Sequence, residues 1–199
     1  MPDLASWLGE KILITVATAL IALAGEIQLG PSGPGKHLAS PDGSKVLYEV
    51  PYHEGANNSR ELWLEDERTH KRTKLLDIRR TGSAEWSPDG AVFYVNDDWV
   101  SDQEDAYIYD SATLARLKIG DLIQARDPAS RPFALGHRYY QITRWIAPNE
   151  VVVRFFGHTD QPPVRNFEFR YRVSRAGAVK KLSERVTPVK KLVPTGAAR

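Results

Sequence analysis

Cysteine is absent from the 199 residues. That excludes disulfides, Cys-based zinc sites and thiol catalysis, and leaves the compartment open. No Gly-x-Ser-x-Gly elbow occurs, so a serine hydrolase of the α/β-hydrolase pattern is not expected. Gly30-Pro31-Ser32-Gly33-Pro34-Gly35 is glycine-rich but lacks the Gly-Lys-Ser/Thr ending and a following helical pattern, so it is no phosphate loop. His37, His53, His70, His137 and His158 share no metal-ligand spacing such as i, i+4. No metal and no cofactor are therefore expected. His53, Glu54, His137 and Asp160 fall at loop ends on one side of the expected sheets, but no motif declares them and no catalytic residue is assigned.

A long membrane-spanning run is also missing. The charge-free, mainly apolar stretch Ile12–Ala24 has thirteen residues, against roughly 20 for a span and about 7–15 for a signal-peptide core. Ala22-Leu23-Ala24 offers small residues for cleavage before Gly25, although Asp3 and Glu10 beside Lys11 are not the usual basic head. Residues 1–25 are thus read as a signal peptide, with a short membrane anchor through residues 12–24 and a core-facing helix as alternatives. Residues 26–35, rich in Gly and Pro, read as a linker. The composition of the whole chain is ordinary for a globular protein, with 42% apolar and 26% charged residues.

What the sequence does contain is a repeat. Ser40-Pro41-Asp42-Gly43 and Ser87-Pro88-Asp89-Gly90 are the same tetrapeptide 47 residues apart, and each precedes a run alternating in the period of a half-buried strand, Val46-x-Tyr48-x-Val50 and Val92-x-Tyr94-x-Asn96. Proline pre-sets φ for the first central position of a type I turn, aspartate suits the second, and glycine takes the left-handed conformation that a Cβ would penalise. About 22 residues after each turn stands a second strand pair: Glu61–Leu64 then Thr73–Leu76, and Ala106–Asp110 then Ala115–Ile119. A degenerate third copy places Trp145-Ile146-Ala147-Pro148-Asn149 opposite Trp86-Ser87-Pro88-Asp89. It continues through Val151–Phe155, Phe167–Val173, a turn at Ser174–Gly177, and Val179–Leu182. Asn149-Glu150 in place of Asp-Gly predicts a looser third turn.

Carried by the Trp/Leu-x-Ser-Pro-Asp-Gly turn and the later aromatic strand, the pattern resembles the TolB-type, WD-like β-propeller blade across residues 36–184. The resemblance implies an all-β fold of three four-stranded antiparallel blades behind an N-terminal hydrophobic helix. Closed propellers use four to eight blades, so an open or incomplete propeller is expected, with a homodimer completing a ring as an alternative. Blade motifs bring no active site with them.

Charge is uneven. Residues 1–163 hold 17 basic and 23 acidic side chains, whereas residues 164–199 hold 10 and 2. The basic tail, 185–199, and the strand before it read first as a solvated edge protected by lysines, and second as a patch for an anionic partner. Nucleic acid is not expected, since no nucleic-acid-binding motif is present. The acidic run Asn96–Asp105 lacks the EF-hand register and reads as a solvated loop. Trp99, Asp97, Asp98 and Tyr140 are the candidate binding contacts, the tryptophan as an exposed anchor among acids. Trp63, Trp86 and Trp145 are expected in the core. The resulting expectation is a non-catalytic binding or scaffold protein, periplasmic or secreted, that presents blade-end loops to a protein or glycan. An inner-membrane-anchored accessory subunit and a hydrolase or lyase are the alternatives.

Overall fold

A computed structural model describes residues 25–30, 35–54 and 57–189, with the side chains of 52–59 not described. The expected signal peptide or anchor and residues 190–199 of the basic tail lie outside the described residues. Most of the chain is antiparallel β-structure. A short strand β1 (Ile27–Leu29) comes first, where a linker was expected. A first meander follows, of β2 (His37–Ala39), β3 (Lys45–Glu54), β4 (Asn57–Asp66) and β5 (Arg72–Ile78). The second contains β6 (Thr81–Trp86), β7 (Val92–Val100), β8 (Gln103–Asp110) and β9 (Arg116–Lys118). After a helix α1 (Ile119–Arg126) and a 3-10 helix (Pro128–Leu135), the third contains β10 (His137–Ala147), β11 (Glu150–His158), β12 (Arg165–Ser174) and β13 (Val179–Pro188). β1 crosses over to pair with β6, and a short parallel pairing of Gln103-Glu104 with Arg138-Tyr139 ties the second meander to the third.

The repeated tetrapeptides build the same turn twice. Ser40 Oγ donates to Asp42 Oδ1 at 2.6 Å, the Gly43 N–H donates to Ser40 O at 2.8 Å, and the Lys45 N–H returns to Ser40 Oγ at 3.0 Å. Ser87, Asp89, Gly90 and Val92 repeat these bonds at 2.6, 2.9 and 3.1 Å. Gly43 and Gly90 have φ of 68° and 70°, the left-handed values the turn requires. A second repeated device closes the β4–β5 and β8–β9 hairpins. Asp66 Oδ1 accepts from the Thr69 N–H and hydroxyl, and Asp110 Oδ1 accepts from those of Thr113, all between 2.8 and 3.0 Å. The third turn departs from expectation. It is tighter, with only Pro148-Asn149 between paired Ala147 and Glu150, and β10 absorbs the difference in two irregularities of register.

The half-buried alternation expected after the second turn does not hold: β7 is buried on both faces from Val92 to Asp97, so Phe93 and Val95 are as enclosed as Val92 and Tyr94. Phe93 and Val95 pack with Leu47, Leu62, Ile78 and Trp86 toward the first meander. Val92 and Tyr94 pack with Tyr140, Val153, Phe155 and Phe169 toward the third. Trp86 is fully buried, and its Nε1 donates to Leu38 O at 3.1 Å across the first interface. Trp63 and Trp145, also expected in the core, are only half-buried. Helix α1 was not anticipated. Lys118 ends the strand expected to reach Ile119, and Ile119 and Ile123 turn into the third meander's core beside Tyr140. β13 ends the strand order and is largely exposed, as an edge protected by basic residues requires. It runs to Pro188, past the boundary expected at 184.

Candidate functional site

The hairpin between β7 and β8 carries the acidic run. Asp97 pairs with Asp105 and Val100 with Gln103, and the intervening register shift leaves Asp98 and Trp99 in an irregular corner. Asp97 and Asp105 are both buried, and Asp105 is met by Lys118 Nζ at 3.1 Å. Asp97 Oδ1 has no hydrogen-bond partner. Burial, then the charges of Asp105 and Asp98, push the Asp97 carboxyl up to about 7. Glu104 is pushed to about 7 as well, by burial and by Asp98 and Asp97. Asp98 is anchored by the Thr81 hydroxyl, which donates at 2.9 Å, with Arg80 at 3.9 Å.

Of these groups, Asp98, Glu104, Thr81 and Arg80 border a cleft of about 470 Å³ at one end of the strands. Glu26, Asp98 and Glu104 supply carboxyl groups to its wall, together with the guanidinium of Arg80; Ser83, Asn96 and Gln141 supply neutral polar groups, and Tyr139 and Phe156 an aromatic side. The two rings stack 5.1 Å apart, and the Tyr139 hydroxyl donates to Ser101 O at 3.0 Å. Asn96 holds the wall in place. Its side-chain oxygen accepts from the Ile142 N–H at 2.8 Å and its Nδ2 donates to Ile142 O at 2.9 Å, so one amide substitutes for a strand neighbour between β7 and β10. The arrangement is an acceptor-rich recess that can meet an amine or guanidinium through its carboxyl and amide oxygens, while the Phe156 ring is already covered by the Arg154 guanidinium, 3.9 Å from its centroid.

The four expected contacts separate. Asp98 lines the cleft, whereas Asp97 is buried and is not part of its lining. Trp99 is half-buried, its Nε1 enclosed without a partner, so it is not the free anchor that its acidic neighbours suggested. Tyr140 offers no surface. It is wholly buried, stacked on Phe155 at 4.3 Å, and its hydroxyl accepts from Gln124 Nε2 at 3.1 Å. Its neighbour Tyr139 reaches the cleft instead, because successive strand residues face opposite ways. Glu104 lay in the acidic run read as a solvated loop, which instead forms the ends of β7 and β8, and Gln141 was missed because nothing local marks it; only the β8–β10 pairing brings the two together. His137 and Asp160 do meet, as their loop positions suggested, and the third member of that group is His158. The side chains of His53 and Glu54 lie outside the described residues.

No protein-family model matches the chain, and no curated protein is similar to it in sequence. Among solved structures, TolB from Acinetobacter baumannii aligns with 78% of this chain and 43% of its own, at 15% identity and a TM-score of 0.33. The chain thus spans less than half the length of that protein. Among the described residues, no helix is long and apolar enough to cross a membrane.

Proposed function

We propose that the chain is a non-catalytic binding or scaffold protein of the bacterial envelope. Its three stacked meanders serve as propeller-like blades, and its acidic cleft receives a basic side chain of a protein partner. The observation that carries this reading is the cleft wall, where Glu26, Asp98 and Glu104 stand beside the Tyr139–Phe156 stack. Titration with a short lysine- and arginine-containing peptide and its alanine counterpart tests it. Binding of the basic peptide alone, weakened at least about tenfold in a combined D98N/E104Q variant, is the expected result. Equal binding of both peptides sinks the idea. The envelope location has its own test, the N-terminal sequence of the native protein after cell fractionation. A chain beginning at Gly25 outside the cytoplasm supports export. An intact chain in the membrane fraction supports the anchored accessory subunit instead.

A hydrolase or lyase is the second reading. The raised pKa of Glu104 at a cleft wall favours it, because a carboxyl held protonated near neutrality is a general acid. Turnover of a glycan or peptide substrate that E104Q abolishes would replace the binding reading.

A further inference from the structure

His137 opens β10 and His158 closes β11, and the two are direct cross-strand partners. Their rings stack with centroids 4.0 Å apart and planes 26° apart. Both Nδ1 atoms face one oxygen, Asp160 Oδ1, at 3.0 Å from His137 and 3.5 Å from His158. One potential ligand atom from each of the three residues lies within 4.8 Å of the others. Bonds of roughly 2.0–2.2 Å in a tetrahedron place ligand atoms about 3.3–3.6 Å apart, so small side-chain adjustments bring the trio to metal-binding spacing. His158 Nδ1 is shielded from solvent and makes no hydrogen bond.

The backbone holds this convergence in place. Gly157 has φ of 151°, and a Cβ there would run into the His137 carbonyl. A Cβ on Gly136 would stand 2.7 Å from His158 O and 3.1 Å from Asp160 N. Only glycines let the two chain segments approach so closely. The loop that carries Asp160 is pinned at both ends, where the Thr159 N–H donates to Arg165 O at 2.9 Å and Thr159 Oγ1 accepts from the Arg165 N–H at 3.0 Å. Ligands on strand ends supported by such a shell are pre-organised. Asp160 also borders a mainly apolar pocket of about 540 Å³, lined by Pro132, Phe133, Leu135 and Pro163.

We propose that His137, His158 and Asp160 form a binding site for a divalent transition-metal ion of the zinc type, with the remaining coordination positions left to water. Two imidazoles and one carboxylate, with no thiolate in the chain, are the donor set of a borderline ion rather than of calcium or magnesium. A single cation shared among three acceptors uses all of them. The site shares no residue with the acidic cleft, so it stands or falls apart from the proposed partner binding.

The test is zinc titration of the metal-stripped full chain by calorimetry, with cobalt(II) absorption as a readout of geometry. H137A, H158A and D160N are compared with H70A, which alters an exposed histidine of the β4–β5 turn. The expected result is one ion per chain, a tetrahedral cobalt spectrum, and affinity reduced at least about tenfold in each of the three variants but unchanged in H70A. Asp160 is exposed, so D160N keeps the fold and decides the matter if a histidine variant does not fold. Zinc affinity unaffected by D160N, or no uptake by the wild-type chain below about 1 mM, overturns the proposal.

Discussion

Asp97 places a carboxyl where water is scarce and two other carboxylates are close, and this has a consequence for pH. Its folded-state pKa lies above its unfolded value, so between about pH 4 and 7 the folded chain binds more protons than the unfolded one. Stability contributed by this group is present at acid pH and is lost as pH rises through about 7, with Glu104 acting in the same direction. D97N is therefore expected to be more stable than wild type by about 2 kcal/mol at pH 8, with the difference vanishing near pH 4. Urea melts at the two pH values measure this, and a constant difference would refute it. Gly157 is the other decisive single residue. G157A adds a Cβ against backbone rather than a movable side chain, so a loss of more than about 3 kcal/mol is expected on thermal denaturation. Neither effect is legible locally. Asp97 looks like any loop acid, and Gly157 follows an apolar strand with no turn signal.

At the scale of elements, the two Ser-Pro-Asp-Gly turns make the clearest case. D42A and D89A each remove an acceptor that organises a serine hydroxyl and a backbone N–H, and each is expected to cost about 1 kcal/mol. Hydrogen bonds from Ser40 and Ser44 lower the Asp42 pKa to about 2. Its contribution is therefore present above the usual carboxylate range and lost as pH falls toward 2. The destabilisation in D42A should shrink over that interval, as stability curves at pH 7 and at acid pH will show. These turns and most strands were legible because their signals are local: proline, aspartate and glycine at fixed offsets, followed by apolar residues. α1 was not, because Ile119-Gly120-Asp121-Leu122-Ile123 carries a glycine in its first turn and no capping side chain. Burial of Ile119 and Ile123 stabilises it, and that depends on a third meander far along the chain.

For the whole molecule, the question is what holds the first meander to the other two. Glu49 is one tie. Its carboxylate is buried, accepts from the Gly30 N–H at 2.7 Å beside β1, and stands 3.9 Å from the Arg60 guanidinium. E49A removes the acceptor from both, and a loss of about 3 kcal/mol is expected on urea denaturation, with one transition retained if the interface unfolds with the rest. Lys45 to Ser111 O, and Arg175 to Asp110, make further links between successive meanders. Association is a separate matter. Among the described residues β13 is an edge strand that carries Lys180 and Arg185, and two such edges would set like charges against each other. A monomer is therefore expected in sedimentation, and a stable dimer would favour the alternative in which two chains complete one ring.

The sequence by itself determined the antiparallel β class, the repeat of about 47 residues and the positions of most turns. Those features arise from residues within a few positions of one another, where backbone preference and strand periodicity act directly. Only the tertiary structure decided which polar residues share a surface. Asp98 and Tyr139 meet across the β7–β8 and β8–β10 pairings, and His137 meets His158 and Asp160 across β10 and β11. Tyr140 and Tyr139 are neighbours in sequence, yet one is core and the other borders the cleft. Alternation along a strand makes them face opposite ways, and only the packing of α1 and the neighbouring meanders settles which way is in.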